Sequence, residues 1–150
     1  MTRAEFAPVL GLLLSQQGQF GTFTVIPTDL AVPQGSWSGA PTAFGGHLPG
    51  AMTVFIGGFT ASTAGVVKAG DLLKFAGHEK VYMAVADSGS NGTGLASIQL
   101  NTPLVGTVAD TEAVVFNNVP ITVALDGDVQ SYAVGRGGFY QFDFDATEAV

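Results

Sequence analysis

Between Val66 and Leu125 apolar and polar residues alternate in short runs broken by glycine, asparagine and aspartate, and the rest of the chain is organised around this stretch. From Lys80 to Ala86, Val81, Met83 and Val85 alternate with Tyr82, Ala84 and Ala86, a period of two that predicts a strand with one buried face. Leu95 to Leu100 repeats the pattern, with Leu95, Ser97 and Gln99 on one side and Ala96, Ile98 and Leu100 on the other. The segment between them, Asp87 to Gly94, contains Asn91-Gly92, a dipeptide suited to a type I′ turn because both central residues there need positive φ. A small antiparallel hairpin follows from this pattern. Nothing in it reads as an active site.

The flanking segments extend the β pattern. Thr2-Arg-Ala-Glu5 is a capping box, and Phe6, Leu10, Leu13 and Leu14 follow at helical spacing with Gly18 as a stop, which predicts a helix over residues 1–18. Pro8 either kinks that helix or falls in the first turn of one that starts near Phe6. Burying its four apolar side chains on a sheet would contribute about 6–12 kcal/mol before entropy. Phe20–Ile26 is a predicted strand with Phe23 and Val25 on one face, and Ala51–Phe59 is another, bent at Gly57-Gly58. Ala113–Phe116 and Val119–Leu125 follow, the latter entered through Pro120. Val129–Val134 and Phe139–Asp145, joined by Gly135-Arg136-Gly137-Gly138, close the chain. In the last of these Tyr140, Phe142 and Phe144 point one way, and Gln141, Asp143 and Asp145 the other.

Residues 27–50 break the alternation. Pro27, Pro33, Pro41 and Pro49, with Gly35, Gly39, Gly45, Gly46 and Gly50, forbid a long regular element. The stretch carries the only tryptophan, Trp37, together with Phe44 and His47. It reads either as an excursion pinned by Trp37 in the core, or as an arm that packs on a neighbouring subunit. On the arm reading, deleting Gln34–Gly46 leaves a folded monomer that cannot assemble. The expected fold is mainly β, an antiparallel β-sandwich or β-barrel-like single domain over 1–150. Its parts are a helix at 1–18, an extended loop or arm at 27–50, and a β-domain at 51–150.

Composition narrows the function classes. Hydrophobic residues make up 47% and charged residues 11%, so the chain is globular and much of its surface is neutral, as suits a subunit set among neighbours. Twelve acidic against five basic residues give a net charge of −7, which argues against holding nucleic acid by its phosphates. The absence of cysteine excludes thiol nucleophiles, disulfides and Cys-based zinc sites. Val9–Leu14 is far shorter than the roughly 20 apolar residues of a membrane helix, so no membrane insertion is expected. Glu5 and Gln16-Gln17 fit a signal peptide poorly.

Candidate chemistry is sparse. His78-Glu79 beside Asp71 lacks metalloprotease spacing, and Ser88, His78 and Asp87 lack a nucleophile elbow. Gly89, Gly92 and Gly94 precede a strand rather than the helix a phosphate loop requires. Gly135-Arg136-Gly137-Gly138 can form an anion nest but reads as a turn with a solvated arginine. Asp126-Gly127-Asp128 lacks the remainder of a calcium loop. Asp143, Asp145 and Glu148 read as a solvated acidic stripe rather than catalytic carboxylates. No catalytic, cofactor or metal residue is expected.

The order of segments carries a resemblance. LLSQQGQFGTFTV, the Pro/Gly-rich PTDLAVPQGSWSGAP, AGVVKAGDLLKF, KVYMAVADSGSNGTGLASIQLNTPL and the closing ITVALDGDVQSYAVGRGGFYQFDFDATEAV together resemble small tail proteins of tailed bacteriophages. They are similar to distal tail or tail-tip ring proteins. The signature positions are Lys68–Asp71, Val81–Ala96 and Asp128–Tyr140. Relatives of this kind carry further strands ahead of the segment matching Met1-Thr2-Arg3, so the chain is expected to be a shortened member. The resemblance implies a non-enzymatic virion component made in the host cytoplasm. It implies a homo-oligomer, a hexameric or trimeric ring, joining tail tube and hub around the DNA channel. Interface residues would be Trp37, Phe44, His47 and Arg136. Asp143, Asp145 and Glu148 would face the lumen, letting DNA pass without specific binding. The alternative is a carbohydrate- or receptor-binding β-module of a phage or bacterial surface, using Trp37, Phe44 and loop polar groups. A hydrolase comes third.

Overall fold

Glu5 fixes the start of the first helix: its carboxylate accepts the Thr2 backbone N–H at 2.7 Å and the Thr2 hydroxyl at 3.0 Å. These bonds hold the Glu5 carboxyl below its ordinary value, the backbone bond contributing most. The structure is a computed structural model and describes residues 1–127 and 131–150. The chain divides into two compact units, Met1–Val25 with Thr122–Val150, and Ile26–Ile121. The second is thus inserted in the sequence of the first.

In the first unit α1 (Arg3–Ser15) runs through Pro8, so the proline neither ends the helix nor delays its start. The helix stops at Gln16, and Gln17 takes the left-handed conformation ahead of Gly18. Phe6 and Leu13 are buried, but Leu14 is 65% exposed and Leu10 only half-buried. Two full burials rather than four reduce the expected contribution to roughly 3–6 kcal/mol. Phe6 packs against Tyr132, Tyr140 and Phe142 with ring centroids 4.9–5.4 Å away. These rings belong to the antiparallel pair β9 (Tyr132–Val134) and β10 (Tyr140–Phe142). The N-terminus lies along β10, the Tyr140 N–H donating to the Met1 carbonyl at 2.8 Å. A separate sheet has β8 (Ile121–Leu125) between β1 (Thr22–Val25) and β11 (Ala146–Glu148). The single strand expected at Phe139–Asp145 is therefore divided: the chain leaves β10 after Phe142 and enters another sheet at Ala146. The expected facing holds across the break, since Phe144 stacks on Phe142 at 5.9 Å. Asp128 and Val129, which bear on the expected turn and strand start, lie outside the described residues.

The second unit holds two three-stranded sheets. In one, β3 (Thr53–Gly57) lies between β2 (Thr42–Ala43) and β6 (Ala96–Gln99). In the other, β4 (Leu72–Phe75) lies between β5 (Val81–Met83) and β7 (Val114–Val115). All pairings in them are antiparallel. Val54, Ile56, Ala96 and Ile98 from the first sheet meet Leu73, Phe75, Tyr82 and Val114 from the second in one buried cluster. The arrangement is sandwich-like. Bridges Thr42↔Ala113 and Ala84↔Leu100 join the sheets at two corners, but among the described residues they do not close into a barrel.

Two expectations for the central stretch need correction. Lys80–Ala86 does not bury one face alone: Tyr82 and Ala84 enter the main cluster, while Val81 joins Leu72 and Val119 in a smaller one, and Val85 is exposed. The 87–94 segment is no type I′ hairpin either. Asn91 Oδ1 accepts the N–H groups of Thr93 and Leu95, and positive φ falls on Gly94, whose N–H donates to the Asn91 carbonyl at 3.0 Å. An Asx-type turn has replaced it; β5 and β6 belong to different sheets, yet the chain beyond them still pairs antiparallel at Ala84↔Leu100, with the Val85 N–H donating to the Gln99 carbonyl at 3.0 Å.

Candidate functional site

Asp71, 2% exposed, is the main polar group of the second unit's interior. Its Oδ1 accepts the Gln34 N–H at 2.7 Å. Its Oδ2 accepts the N–H groups of Gly35 at 3.0 Å and Lys68 at 2.9 Å, and the Trp37 indole N–H at 2.9 Å. A carboxylate that receives this many donors is stabilised where it would otherwise be costly to bury. It ties the Pro/Gly-rich segment to the turn before β4. Gly35 is required there: a Cβ would lie 2.5 Å from the Val66 carbonyl oxygen and 2.7 Å from Asp71 Oδ2.

Other acids do the same nearer the surface. Asp87 accepts from Lys68 Nζ at 2.6 Å and the Ala69 N–H at 3.0 Å, which holds its carboxyl below the ordinary value, the lysine contributing most. Asp110 accepts the Gly45 N–H at 2.8 Å. Glu112 accepts the N–H groups of Gly77 at 2.9 Å and Ala109 at 3.0 Å, with His78 Nε2 3.5 Å from its Oε1. Of the residues weighed for catalysis, Asp71 and Asp87 are thus engaged in holding loops. The Ser88 hydroxyl donates to the Gly89 carbonyl at 3.4 Å. Among the described residues there is no group of three His, Asp or Glu able to hold a metal.

The four residues named for an interface fall in different surroundings. Trp37 is buried, stacked on Phe116 at 5.0 Å and edge-on to Phe59 at 5.2 Å. His47 is also buried; its backbone bridges Val108, and its Nε2 accepts the Phe55 N–H at 3.2 Å. Phe44 is 60% exposed and Arg136 is exposed. Asp143 and Asp145 are exposed and Glu148 half-exposed, the two aspartates in the connection after β10 and Glu148 on β11.

The sequence reading missed Phe55. It lies mid-strand in β3 yet is 44% exposed, because Val54 and Ile56 take the buried face. The register sets Phe55 opposite Ser97 on β6, and the Phe44 N–H donates to the Phe55 carbonyl at 2.8 Å on the other side. Phe44, Phe55 and Ser97 therefore form a row across the outward face. Beside it is a pocket of about 370 Å³ with Phe55 and Leu95 as apolar walls and Ser88, Ser90, Asn91 and Ser97 as polar ones. The alternation in Thr53–Gly57 contained this signal, since one face had to look outward.

The second unit is thus a small β-domain, inserted in the sequence of the first, whose acids cap its loops. Residues 32–119 match the family described as the distal tail protein pb9 B domain, and the chain belongs to that family of tailed-phage tail proteins. The matched span nearly coincides with the Ile26–Ile121 unit. No curated protein matches the chain. Its role is structural, in the phage tail among other tail proteins. Among the described residues, no helix is long and apolar enough to cross a membrane.

Proposed function

We propose that the chain is a non-enzymatic subunit of a ring at the distal end of the tail, joining tube to tip around the DNA channel. The observation that carries this reading is the family match over 32–119. The surface of the first unit supports it: Leu14, Phe20, Tyr132, Val134 and Phe139 are each more than half exposed, apolar side chains that a neighbouring subunit would cover. In the second unit Phe44 offers an exposed aromatic contact for a neighbour. Arg136 adds a rim charge to the first unit's share of the interface. Asp143, Asp145 and Glu148 would line the channel, and their negative charge would keep passing DNA from adhering.

Light scattering on the full-length protein tests the assembly. A mass of three or six times 15.3 kDa, with closed rings in negative stain, is the expected result. A monomer at every soluble concentration contradicts it.

A further inference from the structure

We propose that successive copies of this chain join head to tail, the Phe20 ring of one entering a groove between α1 and the β9–β10 pair of the next. The contact rests on the ring reading above and adds to it which two surfaces meet.

The groove has a volume of about 370 Å³ and lies within the first unit. α1 gives it Phe6, Leu10 and Leu14, and the strand pair gives it Tyr132 and Tyr140. Gly11 also lines it, in the middle of a helix where alanine would be the more stable choice. Nothing in the chain itself calls for glycine at that position. Its φ is not in the left-handed region, and a Cβ there would meet no atom within 4 Å. A residue without a side chain on an open groove leaves room for a group that approaches from outside.

Phe20 is the matching projection. It is 90% exposed, more than any other large apolar side chain among the described residues, and ends the short 3-10 turn Gly18–Phe20 that follows α1. It does not line the groove of its own chain. Charge agrees with the fit. Arg3 stands at the groove, exposed and, among the described residues, without an ion pair. Close to Phe20, the Gln19 side-chain amide donates to the backbone carbonyl of Asp126, an exposed acid. Docking Phe20 therefore carries a carboxylate toward the one cation of the groove. Projection and groove are different surfaces, so the contact is heterologous, and its repetition closes into a ring where the rotation allows.

The test is light scattering on full-length variants. Phe20→Ser removes the projection and Gly11→Phe fills the groove, and each alone is expected to stay at 15.3 kDa where the wild type assembles. Mixed in equal amounts, the two are expected to form a species of twice that mass and nothing larger, because the pair retains one intact projection and one intact groove. That dimer also shows that both variants fold. Arg3→Glu is expected to weaken assembly about tenfold, and Asp126→Arg added to the same chain to recover most of the loss. If the wild type forms rings and either Phe20→Ser or Gly11→Phe still does so, or if the mixture gives no dimer, the head-to-tail contact is overturned while the ring reading stands. A wild type that stays monomeric at every concentration overturns both.

Discussion

Replacing Asp71 by alanine would leave three backbone N–H groups and the Trp37 indole without an acceptor in a nearly sealed interior. Unsatisfied buried donors of this kind cost about 1–3 kcal/mol each where water cannot reach them, and partial relaxation brings the sum to about 3–5 kcal/mol. Urea denaturation followed by fluorescence of Trp37, the only tryptophan, is expected to show that loss; a change under 1 kcal/mol would contradict the role given to Asp71. Asp87 makes a pH-dependent contribution instead. Its folded pKa lies below the ordinary 3.8, chiefly because of Lys68, so its stabilisation is complete above that value and is lost as pH falls through the lowered one. Between about pH 5 and pH 2 the denaturation midpoint of Asp87→Asn is expected to fall less steeply than that of the wild type; parallel curves would contradict this.

The Pro/Gly-rich stretch carries Trp37 into the core, as the excursion reading has it and the arm reading does not. Its prolines and glycines do exclude long elements, yet Thr42–Ala43 pairs with β3, Pro41 and Ala43 are buried, and Gln34, Gly35 and Trp37 bind Asp71. Deleting Gln34–Gly46 therefore removes a sheet edge and core side chains together. The expected outcome is loss of cooperative unfolding in the Ile26–Ile121 unit, read by calorimetry, in place of the folded non-assembling monomer that an arm would leave. A sharp transition near the wild-type temperature would contradict it. Legibility in the sequence followed the same division. Alternation over Leu95–Leu100 located β6 and its buried face, and the capping box located α1, because these are local patterns. The bonds to Asp71 span 34 or more residues to Gln34, Gly35 and Trp37, and the pairing of β3 with β6 is also non-local, so neither had a local signature. Asn91-Gly92 misled because Asn91 used its side chain to accept backbone N–H groups, which made the mirror-image turn unnecessary.

At the scale of the whole molecule, a family domain of 32–119 is set between segments that form their own unit. The first unit carries exposed apolar residues together with Asp143, Asp145 and Glu148, and the second carries the exposed row of Phe44 and Phe55. The resemblance drawn from segment order and the family match converge on the tail, and the exposed apolar side chains of the first unit support the proposed ring. The most direct measurement is immunogold electron microscopy of intact phage particles with antibodies to this chain. Gold is expected at the junction of tail tube and tip; gold on the head or along the tube, or none on purified particles that contain every other tail protein, would contradict a place in the distal tail.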